Sequence, residues 1–170
     1  MNNNITFICE CCGKEHESWP ALVYPFPNSY HNLTQQEKDE IALIDEDFCV
    51  IKHPEHILRF VRCVLIQKVN DHCEDLEYGF WVSLSEESFK NYLDNFDNQN
   101  HETTYFGWLS NFIPQHEFSN SIPTTVVTKE GNERPEIFPH KDFDHPFVKE
   151  YYDGISKEEA EKRIHEMLKN

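Results

Sequence analysis

Cys9-Glu10-Cys11-Cys12-Gly13, with His16 three residues on, is the stretch whose residue types and spacing come closest to a defined chemistry. Cys9 and Cys12 form a C-x-x-C turn, which holds two thiolates on one side of a bend and suits a tetrahedral ion at Zn–S distances near ~2.3 Å. Gly13 suits the bend because a residue without Cβ enters the left-handed region at little cost. His16 falls within reach as a third ligand. The fourth is expected from Cys49, which follows acidic Asp45-Glu46-Asp47 at the start of a short strand. The expected shell is therefore Cys9, Cys12, His16 and Cys49. With four protein ligands and no open position, the zinc would be structural. Cys63 sits in an apolar run and reads as a buried hydrophobe, and Cys73 reads as a surface thiol. Two competing readings remain: reduced cysteines with no metal, and a redox pair. The redox pair would need a helix after Cys12, and Trp19-Pro20 argues against one.

A second constellation is Asp144-His145, which could frame a polar pocket. The carboxylate would orient the imidazole for base work, or the pair could simply open a helix before Pro146. Trp81, Tyr105, Phe106 and Trp108 could line a pocket, but rings at this density usually form core. The chain contains no G-x-S-x-G, H-E-x-x-H, G-x-x-x-x-G-K or G-x-G-x-x-G, so enzyme is the less favoured class.

The elements that must position these groups follow from pattern. Thr6–Cys9 reads as a strand, and the stretch holding Pro20, Pro25 and Pro27 as an irregular cover. Thr34 and Glu37 make a capping box that opens a helix expected over 35–44. Strands are expected at 48–51, 57–69 and 79–84. Ser85 then opens a helix whose Phe89, Tyr92, Leu93 and Phe96 fall at i, i+3, i+4 and i+7. Thr124–Thr128 and Arg134–Phe138 read as a hairpin, and Ser156 with Glu159 opens a final helix. The expected fold is a single α+β domain over 1–170 with an antiparallel-rich sheet and three to four helices. A zinc-knuckle-like segment at about 5–20 would pack on it.

The 170 residues carry 31 Asp and Glu against 15 Lys and Arg, a formal charge of −16. Such a surface repels phosphate backbones and anionic bilayers, so neither nucleic acid nor membrane is an expected partner. It attracts basic proteins. The start of the chain shows no basic and apolar leader, and no apolar run reaches bilayer length, so a cytoplasmic, reducing setting is expected.

Several ordered motifs give the chain a resemblance. They are C-x-x-C-G-x-x-H at Cys9–His16, Asp47-x-Cys49-x-Ile51, Phe60-Val61-Arg62 and Gly79-x-Trp81-Val82-Ser83-Leu84-Ser85. Phe106-Gly107-Trp108-Leu109-Ser110, Arg134-Pro135, Asp144-His145-Pro146 and Gly154-Ile155-Ser156 complete the series. In these the chain resembles the bacterial family known as domain of unknown function 2199, from about Ile5 to Leu168. The resemblance implies no activity. It does imply a Cys at position 49 and a His at position 16, the same ligands chosen on spacing. The expected role is a small acidic protein with a structural zinc that acts by binding a partner. The alternatives are a metal enzyme with an open zinc position and an antidote that occupies a basic toxin's cleft.

Overall fold

The computed structural model describes residues 6–8, 13–116, 121–131 and 133–169. In chain order the elements begin with β1 (Thr6–Ile8), β2 (Glu15–Glu17), β3 (Leu22–Val23), α1 (Asn28–His31), α2 (Gln35–Ile41), β4 (Ala42–Ile44) and β5 (Phe48–Lys52). There follow β6 (Ile57–Gln67), β7 (Leu76–Ser83), α3 (Glu86–Asp94), β8 (Thr104–Leu109), β9 (Ile122–Val127), β10 (Glu136–Pro139), α4 (Pro146–Asp153) and α5 (Lys157–Leu168). The helix starts behave as their sequences dictate. Thr34 and Glu37 close a reciprocal capping box, and Ser85 and Ser156 accept from the backbone N–H of Ser88 and Glu159.

The eleven-residue β6 organises the sheet because it is long enough to change neighbours. Along one edge it pairs antiparallel with β7 from Phe60↔Ser83 to Gln67↔Leu76. On its other edge the first half pairs with β5, and further on Val64 meets Glu136 of β10 in parallel register. The Val64 N–H donates to the Pro135 carbonyl at 2.9 Å in support of that crossing. Since β7 also pairs with β8, β8 with β9 and β9 with β10, strands β6 to β10 close into a five-stranded ring. β3 adds to β7 in parallel, while β5 and β4 extend the sheet outward.

This overturns the expected α+β architecture. The molecule is mostly β, a closed barrel with flanking strands. The antiparallel ladders were expected, but the parallel contact that shuts the ring joins segments too far apart in sequence to leave a local signal. The zinc-knuckle-like segment is corrected with it: its flanks form a two-stranded antiparallel hairpin, β1 with β2, followed by chain that docks on the barrel.

Closure places apolar side chains on both sides of the sheet. Val61, Cys63, Leu65, Tyr78, Phe80, Val82, Leu109, Ile122, Val126 and Ile137 form the main core, with Phe147 of α4 and Phe89 of α3 packed in. On the outer face of β5–β7 a smaller cluster of Cys49, Ile51, Phe60 and Trp81 lies under Tyr24, Tyr30, Leu33 and Ile41. Trp81 anchors that cover: its indole N–H donates to the Tyr24 carbonyl at 2.9 Å. Gly107 makes the β7–β8 seam possible. A Cβ built there would stand 2.2 Å from Val82 Cγ1, 3.1 Å from the Ser83 carbonyl and 3.2 Å from Val126 Cγ2.

Candidate functional site

Cys9, Cys11 and Cys12 lie outside the described residues, so the core of the expected zinc shell does too. Its surroundings are defined. β1 and β2 pair with Ile8 opposite Glu15 and Phe7 opposite His16, and Gly13 takes φ +68°, the left-handed conformation expected of the turn. After the hairpin, the chain is fastened to the β6–β7 connection. The Trp19 N–H donates to the Glu74 carboxylate at 3.2 Å, Ser18 Oγ donates at 3.3 Å, and the Trp19 ring stacks on His72 at 4.3 Å.

Cys49 occupies a different setting. It is fully buried beside Ile51, Phe60 and Trp81, and burial, then the charge of Asp45, pushes its thiol up to about 12. It pairs with Phe60 near the start of β6, whereas the connection that holds Trp19 begins after Gln67. At ~3.3 Å per residue those points are about 23 Å apart along the strand. Cys63 is buried in the main core, where burial alone raises its thiol, and Cys73 is exposed. Among the described residues, no three His, Cys, Asp or Glu side chains converge to hold an ion.

Asp144 and His145 do line one cleft, of about 310 Å³, together with Asp142, Phe143 and Lys149. His145 is its structural corner. It is the N-cap of α4, its Nδ1 accepting from the Phe147 N–H at 3.0 Å, and only 9% of it is exposed. Of the two readings of Asp144-His145 the helix start holds, and His145 rather than Asp144 supplies the cap. With Nδ1 used as an acceptor, the ring is held by the helix start.

An ionic network that sequence reading missed lies behind this corner. Arg163, 1% exposed, donates through Nη2 to Glu150 at 2.6 Å, through Nε to Glu159 at 2.9 Å and through Nη1 to the Tyr78 hydroxyl at 3.2 Å. His116 Nε2 meets the same Glu150 oxygen at 2.9 Å. Burial raises the Glu150 carboxyl, but the hydrogen bonds from His116 and Arg163 outweigh it and hold its pKa below the ordinary range. Burial also pushes the Tyr78 phenol up, against the pull of Arg163. The one local clue was Glu159 four residues before Arg163 in a capped helix. The network fastens α4 and α5 to β7, which makes it structural.

The feature most unlike a closed interior is the outer wall of β8–β10. Along β8 burial alternates strictly, with Tyr105, Gly107 and Leu109 inward and Phe106 and Trp108 outward. Phe106 and Trp108 remain 49% and 44% exposed and meet edge to face at 5.0 Å. The His140 ring lies 5.5 Å from Phe106 and is held by Thr125 at 3.0 Å. Register sets Pro123 beside Trp108 and Thr125 between Phe106 and Phe138. The expectation that these rings are core therefore holds for Trp81 and Tyr105 and fails for Phe106 and Trp108.

Among the described residues, no helix is long and apolar enough to cross a membrane. No curated protein and no solved structure matches the chain. Residues 8–155 match the family model described as uncharacterized protein conserved in bacteria (DUF2199), and the chain belongs to that family.

Proposed function

We propose that this protein is a binding module that docks a basic protein through the aromatic wall of β8–β10, with no catalytic step of its own. The observation that carries the reading is the half-exposed Phe106–Trp108 pair. Each square ångström of such surface left in water forgoes about 25 cal/mol of burial free energy, and Trp is among the residues most enriched where binding energy concentrates. The formal charge of −16 supplies the partner's sign. It accelerates encounter with a positive surface and opposes pairing of two copies. An antidote seated in a basic toxin's cleft is one form this takes, in the cytoplasm.

The test is capture of partners on immobilised wild-type protein and on a Trp108→Ala variant, followed by identification and by titration of the purified pair. The reading requires a partner of basic isoelectric point, binding that weakens as salt rises, and affinity at least tenfold lower with Trp108→Ala. An acidic partner, or equal binding by the variant, refutes it.

A structural zinc held by Cys9, Cys12 and His16 is proposed as a second property. It is supported by the C-x-x-C-G-x-x-H spacing and by the left-handed Gly13 that follows Cys12. The apolar burial of Cys49 and its distance from Trp19's anchorage argue for a different fourth ligand. Elemental analysis of untagged protein should give close to one zinc per chain, lost in Cys12→Ser and retained in Cys49→Ala. Metal-free wild type removes the proposal.

A further inference from the structure

Of three motif residues with no role so far, Asp47 and Arg134 line a groove of about 550 Å³ on the outer face of β6, and Arg62 adjoins Asp47 outside that lining. The Arg134 Nε donates to the Asp47 carboxylate at 3.2 Å, and the Asp47 carbonyl accepts from the Arg62 N–H at 3.0 Å. Asp47 is itself fixed, because the Asp45 carboxylate accepts from the N–H groups of Asp47 and Phe48, each at 2.8 Å. The Arg134 guanidinium thus meets the Asp47 carboxylate, and the Arg62 backbone is tied to the same residue, on a molecule that is strongly acidic.

Neither arginine is saturated. Arg62 lies over the Trp81 ring at 5.7 Å and reaches only the Glu46 carbonyl, at 3.4 Å; its Nε is shielded from solvent, and no described residue accepts from it. Burial, then the proximity of Arg134, disfavours its charged form, with Asp47 and Glu46 opposing. A shielded donor without an acceptor costs about 1–3 kcal/mol and calls for an explanation. Arg134 is 40% exposed at its side chain, and no described residue accepts from its Nη1 or Nη2. That leaves the planar fork that grips a carboxylate with two parallel hydrogen bonds.

The rest of the groove selects the ligand. Val64 and Ile66 stand on the same face of β6 as Arg62 and give an apolar floor, and Tyr92 and Phe96 of α3 give a ring wall. Lys129 on the rim is already paired with Glu136 at 3.4 Å. Glu77 and Glu133 also line the groove and would repel a second negative charge.

We propose that this groove binds a small organic monocarboxylate, its head on the Arg134 fork with Arg62 behind and its apolar body over Val64 and Ile66 against Tyr92 and Phe96. The site is separate from the aromatic wall, and the proposal stands or falls independently of partner docking. Asp47, Glu77 and Glu133 would repel polyphosphates and nucleotides more strongly than a single carboxylate.

The experiment is a titration of ¹⁵N-labelled protein with 3-phenylpropionate, read at the arginine Nε–H resonances. The chain has only four arginines, at 59, 62, 134 and 163, so each signal is assignable by substitution. Saturable shifts are expected at Arg62 and Arg134, with Arg163 unmoved. The neutral 3-phenylpropanamide should leave all of them in place, and sulfate at matched ionic strength should shift them at least tenfold more weakly. Arg134→Gln, a surface change that keeps the fold, should weaken binding at least tenfold at the Arg62 signal. Arg134→Lys should also lose most of the affinity because it keeps the charge but not the fork. No saturable shift, an equal response to the amide or to sulfate, or unchanged affinity in Arg134→Gln overturns the proposal.

Discussion

Replacing Gly107 with alanine should strain the seam where β7 meets β8. The added methyl would stand 2.2 Å from Val82 Cγ1 and within 3.1–3.2 Å of the Ser83 carbonyl and Val126 Cγ2, so it has no direction in which to yield. Val82 has one stiff torsion and lies in the main core, fully buried. Overpacking of this kind costs about 1–3 kcal/mol. At about 2–4 °C per kcal/mol for a domain of this size, the melting temperature should fall by about 2–12 °C. Val82→Ala alone deletes two buried methyl groups and should cost about 2 kcal/mol, from ~0.8 each plus the cavity left. In the double variant the new methyl enters the space that Val82 vacates. Its loss should therefore be at least about 1 kcal/mol smaller than the sum of the singles. Urea denaturation of all four proteins, with m-values compared, gives that coupling term. Strict additivity would mean that the Val82 contact is not what excludes a side chain at Gly107.

Glu150 should make stability acid-sensitive: its carboxyl is held below its ordinary pKa in the fold, so the contribution is full above the unfolded value near ~4.3 and is lost as pH falls through the folded one. Urea melts from pH 6 to pH 3 should show a shallower decline for Glu150→Gln than for wild type. Removing the buried guanidinium with Arg163→Ala should cost about 3–5 kcal/mol, because it strips partners from Glu150, Glu159 and Tyr78 at once. Chemical denaturation checks this, and a loss below 1 kcal/mol would show that the network contributes little. His145→Ala should cost about 1 kcal/mol through the lost cap of α4, and His145→Asn should recover most of it, both read by thermal unfolding.

Local signals carried most of the elements. The capping box at Thr34, the Ser156 cap, the apolar spacing of α3 and the apolar run of β6 all mark real structure. The helix expected over 35–44 ends instead at Ile41, because Ala42–Ile44 form β4 against β5, a pairing that lies outside any helical window. β8 read as an aromatic core segment because Thr104-Tyr105-Phe106-Gly107-Trp108-Leu109 shows no alternation of polar and apolar residues. Rings on its outward positions obscured the period, and those outward rings are what make the wall. The Asp47–Arg134 pair was out of reach for a simpler reason: it joins residues 87 apart in sequence, while Glu150–Arg163 joins two separate helices. Asp144-His145 reads either as an oriented base or as a helix start, since an imidazole beside Pro146 suits both, and His145 opens α4 as its N-cap.

The strand that shuts the ring arrives late. Val64 waits on Glu136, so during synthesis β6 and β7 leave the ribosome with their inward apolar faces unsealed until that residue, 72 positions later, has been added. Contacts this distant in sequence slow the search for the native arrangement and prolong the interval in which sticky surface is on view. The heavy negative charge then acquires a second use: nascent and newly released chains repel one another while that interior is still open.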